Sequence, residues 1–113
     1  ENYFSGKRTK LSIVASFDID PRKIGKRVNG IECFHVDEMN SIIGEKNIKI
    51  GIMTVPAEQA ADVAKKLVDA GVTGILNYTP KPVNVPDNVY LEEYDMITSL
   101  EKVAFFVKTH GRD

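Results

Sequence analysis

The stretch Phe17-Asp18-Ile19-Asp20-Pro21 closes an apolar run, Leu11-Ser12-Ile13-Val14-Ala15-Ser16-Phe17, with an acid. A nearly continuous apolar run is the pattern of a parallel strand covered on both faces. An acid at the end of such a strand is where a dinucleotide-binding fold grips an adenosine ribose. One carboxylate accepts from both ribose hydroxyls and repels a 2′-phosphate. The glycine loop expected ahead of that strand is absent from the sequence. The pattern therefore reads as an α/β, Rossmann-like parallel sheet with flanking helices that lacks its first strand and phosphate loop.

Downstream, apolar runs alternate with helical patterns, as in a parallel sheet wrapped by helices. Asn29-Gly30 is a turn signal leading to a short strand at 31–34. Asp37 is placed to cap a helix reaching Lys46, with Val36, Met39, Ile42 and Ile43 inward. Residues 48–55 read as the next buried strand. Over 57–70, Ala57, Ala60, Ala61, Ala64, Leu67 and Val68 recur at helical spacing, and Gly71 supplies the C-cap. Residues 74–78 form a further strand. Pro80, Pro82 and Pro86 then enforce an extended connection. Residues 89–91 suit an edge strand, and a last helix covers about 96–109.

The chain has 113 residues, enough for one domain with a single core. With 42% hydrophobic and 27% charged residues and a net charge of −1, it carries no nucleic-acid footprint by composition. Lys7, Arg8 and Lys10, and Arg22, Lys23, Lys26 and Arg27, read as solvated loops. Cys33 is the one cysteine, so no internal disulfide forms, and its apolar setting suits a buried core thiol. No apolar stretch reaches the roughly 18 residues of a membrane span. The expectation is a reduced, cytoplasmic protein with no membrane partner.

Three strand ends carry candidate chemistry. Asp18 is either a ribose acceptor or a turn acid. Thr54-Val55-Pro56-Ala57-Glu58 joins a strand to a helix N-terminus, where ligands of open parallel sheets bind. Pro56 removes a donor, so that loop offers shape and apolar surface. Asn77-Tyr78-Thr79-Pro80 would stand beside it, where an amide, a phenol and a hydroxyl either frame a carboxamide ring or cap the strand. Asp95 precedes the last helix as its N-cap. That helix carries a stripe of Met96, Ile97, Leu100, Val103, Ala104 and Val107, with Phe105 and Phe106 off it. A helix apolar on more than one side is buried on more than one side. His35 and His110 have no metal-spaced neighbours, so no metal site is expected; His35 reads as structural and His110 falls in a frayed tail. No nucleophile elbow, Walker loop or other catalytic constellation is present.

Taken together, the residues resemble the family of Rex redox-sensing transcriptional repressors. The resemblance rests on residues 13–25 (IVASFDIDPRKIG), on TVPAE at 54–58, on AGVTGILNYTP at 70–80, on Val83-Asn84-Val85-Pro86 and on the aromatic-rich last helix. It implies a homodimeric, non-enzymatic sensor of the NADH to NAD⁺ ratio. It implies a winged-helix DNA-binding domain, a Rossmann domain and a C-terminal helix swapped between subunits. Asp18, with Ile19 and Lys23 beside it, would meet the adenosine ribose. Thr54, Val55, Pro56 and Ala57, with Asn77, Tyr78, Thr79 and Pro80, would line the cofactor pocket. Asp95, Leu100, Val103, Phe105 and Phe106 would serve the interdomain or dimer contacts. Residues 1–94 would be an incomplete Rossmann domain and 95–113 the swapped helix.

The chain departs from the family pattern in having no winged helix and no G-x-G-N-x-G loop, and residues 1–6 read as the tail of the helix after that loop. NAD(H) binding by this segment is therefore expected to be weak or absent, and DNA contact to need the winged helix. An alternative keeps the fold: the Rossmann domain of a nucleotide-sugar dehydratase or epimerase of polysaccharide synthesis. It would be favoured by a catalytic Tyr-x-x-x-Lys pair. A CoA-binding module is a third reading and would need its own glycine loop.

Overall fold

Among the described residues the chain forms six short strands, most of them bounded by a turn former or a helix start. A computed structural model describes residues 11–110. The reading of residues 1–6 and the cluster Lys7, Arg8 and Lys10 lie outside the described residues. Strand β1 is Ser16–Asp18, β2 Arg27–Val28, β3 Ile31–His35, β4 Ile50–Met53, β5 Gly74–Asn77 and β6 Tyr90–Glu93. Helices α1 (Met39–Lys46), α2 (Ala60–Ala70) and α3 (Met96–His110) complete the order.

The strands make two three-stranded sheets. In one, β3 is central, parallel to β1 and antiparallel to β2. In the other, β5 is central and parallel to both β4 and β6. The sheet with flanking helices is the Rossmann-like arrangement that the alternation implied. The first strand is shorter than the apolar run 11–17 because only residues 16–18 find ladder partners, at Cys33, Phe34 and His35. Strand β2 was not anticipated. It forms because Asn29 (φ 54°) and Gly30 (φ 79°) make a left-handed two-residue turn, which folds Arg27–Val28 back on β3.

One cap and one tail residue differ from the sequence reading. The turn before α1 is capped by His35, whose Nδ1 accepts from the Asp37 amide at 3.0 Å, so Asp37 is not the cap. A ring nitrogen that accepts an N–H bond carries no proton, so the 3.4 Å approach of the Asp37 carboxylate is not an ion pair in that tautomer. His110 lies in the last turn of α3, stacked on Phe106 at 4.4 Å, and not in a frayed tail. Gly71 (φ 112°) ends α2 as read, returning amides to Leu67 and Val68.

The core sits where α1 and α2 meet the second sheet. Met39, Ile43, Met53, Ala60, Ala64, Leu67, Val72 and Ile75 are buried together there. Ala60 and Ala64 bring the α2 backbone close to the sheet, and Leu67 lies over Gly51 of β4. Cys33 is half-buried in the other sheet, where the sequence suggested full burial. Among the described residues no helix is long and apolar enough to cross a membrane.

Ala60 is 0% exposed. Ala60→Leu should cost about 1–3 kcal/mol by overpacking, while Ala61→Leu on the exposed face should change little. Urea unfolding midpoints of both variants check this; equal midpoints would mean that α2 is not seated on the sheet by its alanine face.

Candidate functional site

The candidate residues stand at the carboxyl ends of parallel strands, in two sheets. Asp18 ends β1, Met53 ends β4 and is followed by 54–57, Asn77 ends β5, and Glu93 ends β6. In open parallel sheets this carboxyl edge is where ligands sit.

Asp18 is held by its own turn. Its Oδ1 accepts from the amides of Ile19 at 2.7 Å and Asp20 at 3.0 Å. Its Oδ2 lies 3.5 Å from Lys23 Nζ and is otherwise open to a ligand hydroxyl. The Asp20 amide, then the Ile19 amide and the Lys23 charge, hold this carboxyl below the ordinary aspartate range against the opposing effect of desolvation. Ile19 is exposed beside it. Arg22 is committed to Asp20, at 3.1 Å and 2.9 Å, which leaves Lys23 as the cation nearest Asp18 on this turn.

The turn at 54–57 is shaped by Pro56, whose extended backbone (ψ 149°) starts a single 3-10 turn, Ala57–Gln59, before α2. Thr54 and Pro56 are exposed and Val55 and Ala57 half-buried, so the turn presents mostly apolar surface.

The loop after β5 behaves differently from a set of free polar groups. Asn77 is 1% and Thr79 6% exposed. Asn77 Nδ2 donates to the Lys81 carbonyl at 2.9 Å and to Glu93 Oε2 at 3.3 Å, and its Oδ1 accepts from the Thr79 amide at 2.9 Å. Thr79 Oγ1 donates to the Lys81 carbonyl at 3.2 Å. Asn77 and Thr79 thus set the loop's shape, and Tyr78, with Pro80, is what it shows to solvent. The Tyr78 ring packs on Tyr94 at 4.7 Å.

Sequence reasoning takes Glu93 for a solvated strand-end acid and passes over Tyr94. Glu93 Oε2 also accepts from the Val83 amide at 3.0 Å, so one carboxylate ties the 77–83 loop to β6. The only signal for it was an acid opposite Asn77, visible once the register Asn77↔Glu93 is known. Two residues on, Asp95 caps α3 as read. It accepts from the Thr98 amide at 3.0 Å and the Thr98 hydroxyl at 2.6 Å, and that hydroxyl first, then the amide, lowers its pKa. The α3 residues Leu100, Val103, Phe105 and Phe106 are 59–67% exposed. Among the described residues no group of three or more His, Cys, Asp or Glu side chains could hold a metal.

This edge can do specific work. A rigid strand-end acid suits a ribose diol, the Val55–Pro56 surface suits a flat ring, and Tyr78 offers an aromatic face.

Comparison with known proteins gives the same direction. Residues 2–81 match the family described as CoA binding domain, and the chain belongs to that family. It is 36% identical over 112 residues to the redox-sensing transcriptional repressor Rex of Anoxybacillus flavithermus, covering 99% of this chain and 52% of that protein. It is 45% identical over 92 residues to Rex of Syntrophobacter fumaroxidans, covering 80% of this chain and 44% of that one. Among solved structures it is similar to RSP, a Rex-family repressor, in complex with β-NADH (TM-score 0.86, 32% identity, 96% of this chain and 52% of that one). It is also similar to RSP bound to β-NAD⁺ and operator DNA (TM-score 0.84, 32% identity, 96% and 50%). The chain spans about half the length of the curated relatives it matches.

A carboxyl held below its unfolded value of about 3.9 stabilises the fold at neutral pH, and that stability is lost as pH falls through the folded value. Asp18→Asn should therefore flatten the acid limb of stability below about pH 5 while leaving the neutral-to-alkaline limb unchanged. Thermal melts from pH 7 down to 2.5 for both proteins check this; parallel acid limbs would show that the turn amides do not favour the charged form.

Proposed function

We propose that this chain is the nucleotide-sensing part of a transcriptional repressor that responds to the NADH to NAD⁺ ratio. The observation that carries the reading is Asp18. It stands at the carboxyl edge of a parallel sheet with one oxygen fixed by two backbone amides and the other available. The Rex relatives, including one solved with β-NADH, support it. The dehydratase or epimerase alternative finds no comparable support.

In this reading Asp18 Oδ2 accepts from the adenosine ribose, with Ile19 against the adenine and Lys23 at the rim. Thr54, Val55, Pro56 and Ala57 form one wall of the nicotinamide end, and Tyr78, Thr79 and Pro80, shaped by Asn77, form the other. The cofactor supplies the redox state that is sensed, and the chain's residues bind and orient it. In this reading the site senses the cofactor and does not turn it over. A regulator of this kind works in the cytoplasm, and DNA contact belongs to a winged-helix domain.

Residues 1–94 would act as the nucleotide unit and 95–113 as a helix exchanged within a homodimer. Every apolar position of α3 is exposed. Burying one phenylalanine is worth roughly 1.5–3 kcal/mol, so Phe105 and Phe106 favour a partner surface, with Leu100 and Val103 beside them. Asp95, at the root of that helix, would pass the state of the 77–83 loop across the interface through Glu93 and Tyr94.

NADH should bind more tightly than NADPH, and Asp18→Ala should weaken NADH by about tenfold or more, the value of a hydrogen bond to a charged group. Titration calorimetry with both cofactors reads this directly, on the chain within a parent protein that also carries the glycine loop. Equal affinities, or unchanged binding in the variant, would remove Asp18 from the role.

Phe105→Ala combined with Phe106→Ala should convert dimer to monomer or to insoluble protein in sedimentation. A double variant that stays dimeric and as stable as the parent would refute the exchanged helix.

A further inference from the structure

We propose that Asp20 is a specificity-determining residue of the nucleotide site: it holds Arg22 away from the ribose 2′ position and so keeps the site closed to a 2′-phosphate. The proposal rests on the reading of Asp18 as the ribose acceptor. In dinucleotide folds an acid at this strand end accepts from the ribose hydroxyls, whereas an arginine nearby takes the 2′-phosphate of the phosphorylated cofactor. This chain carries both residue types on one turn, with Asp18, Asp20, Arg22 and Lys23 within six positions. What decides between the two cofactors is which of these groups is free to act.

The turn assigns Arg22 to Asp20. Pro21 sets the backbone of a turn that the Lys23 amide closes on the Asp20 carbonyl at 2.9 Å. The Asp20 carboxylate then takes three donors from one residue. The Arg22 amide reaches Oδ1 at 2.9 Å, Nε reaches Oδ1 at 3.1 Å and Nη2 reaches Oδ2 at 2.9 Å. A guanidinium held through two parallel bonds is fixed in orientation as well as in position. The guanidinium first, then the Arg22 amide, hold the Asp20 carboxyl below the ordinary aspartate range, so the acid is charged at neutral pH. The Arg22 side chain is 88% exposed against 22% for Asp20. The acid is therefore the seated partner, and the arginine is the one that swings when released. Lys23 lies 3.5 Å from Asp18 Oδ2, where it offsets the charge of the ribose acid itself. The formal charges of these four side chains cancel, so a phosphate arriving beside Asp18 meets no net attraction. An exposed ion pair is loose and screened by salt, which makes the discrimination it adds removable by one substitution.

The test uses the chain within a parent protein that also carries the glycine loop. NADH is titrated calorimetrically, and NADPH is read by its displacement of NADH. Asp20→Asn keeps an oxygen for the Arg22 amide but gives up the ionic fork. It should raise NADPH affinity about tenfold, the worth of a freed charge-assisted bond, and leave NADH affinity unchanged. The gain should shrink with added salt, as a screened phosphate contact does. Arg22→Gln alone should change neither affinity, and added to Asp20→Asn it should cancel the gain. A gain that survives Arg22→Gln would come from lost repulsion by Asp20 or from Lys23, and would overturn the proposal. Unchanged NADPH affinity in Asp20→Asn would overturn it, as would an equal loss of both cofactors, which would make Asp20 a residue of the turn's fold only. Asp18→Ala separates the two readings. NADH binding that depends on Asp18, with a preference that ignores Asp20, overturns this proposal alone. NADH binding indifferent to Asp18 overturns the ribose reading and this proposal with it.

Discussion

The structure depends on how closely α2 approaches β4. Ala60 and Ala64 offer nothing beyond Cβ, and Gly51 leaves room for the Leu67 methyls, which lie 2.9–3.1 Å from where a Cβ on Gly51 would be. A bulkier residue at either layer would lift the helix off the sheet. That seating sets the start of α2, and with it the turn at 54–57, in a fixed place beside the ends of β1 and β5. The core around it is what allows a loop with few hydrogen bonds of its own to present a defined surface.

A second device holds the other wall. A buried amide must satisfy its donors and acceptor or the fold is destabilised. Asn77 does so with Lys81, Thr79 and Glu93, and Glu93 in turn takes the Val83 amide. Among the described residues no buried side-chain polar atom lacks a partner. The network makes the loop after β5 and the exit of β6 one mechanical unit. Because β6 leads through Tyr94 and Asp95 into α3, a change at the Tyr78 side has a continuous path to the helix, made of a ring contact, a shared carboxylate and a capped first turn.

Polar and apolar surfaces are thus in opposite conditions. Polar groups at the sheet edge are mostly paired inside the chain, whereas the apolar surface of α3 is open. Water tolerates an exposed leucine, but a contiguous stripe such as Leu100, Val103 and Val107 is the signature of surface that meets another polypeptide.

The α2 pattern, the Gly71 cap, the Asp95 cap and the strand-end acid Asp18 were legible in the sequence because each rests on local rules: periodicity, φ preference and side-chain reach over three residues. The sequence by itself determined a parallel α/β fold, an acid at a strand end and a last helix too apolar for one face. What only the tertiary structure decided was anything set by register between distant segments. Residue 77 faces residue 93 across a parallel ladder, and no local rule brings them together. Hence Glu93 was missed, Asn77 and Thr79 proved to be loop architecture, and His35 took the cap from Asp37. The short length of β1 has the same origin: a strand extends only as far as its neighbours supply ladder partners, and those come from elsewhere in the chain.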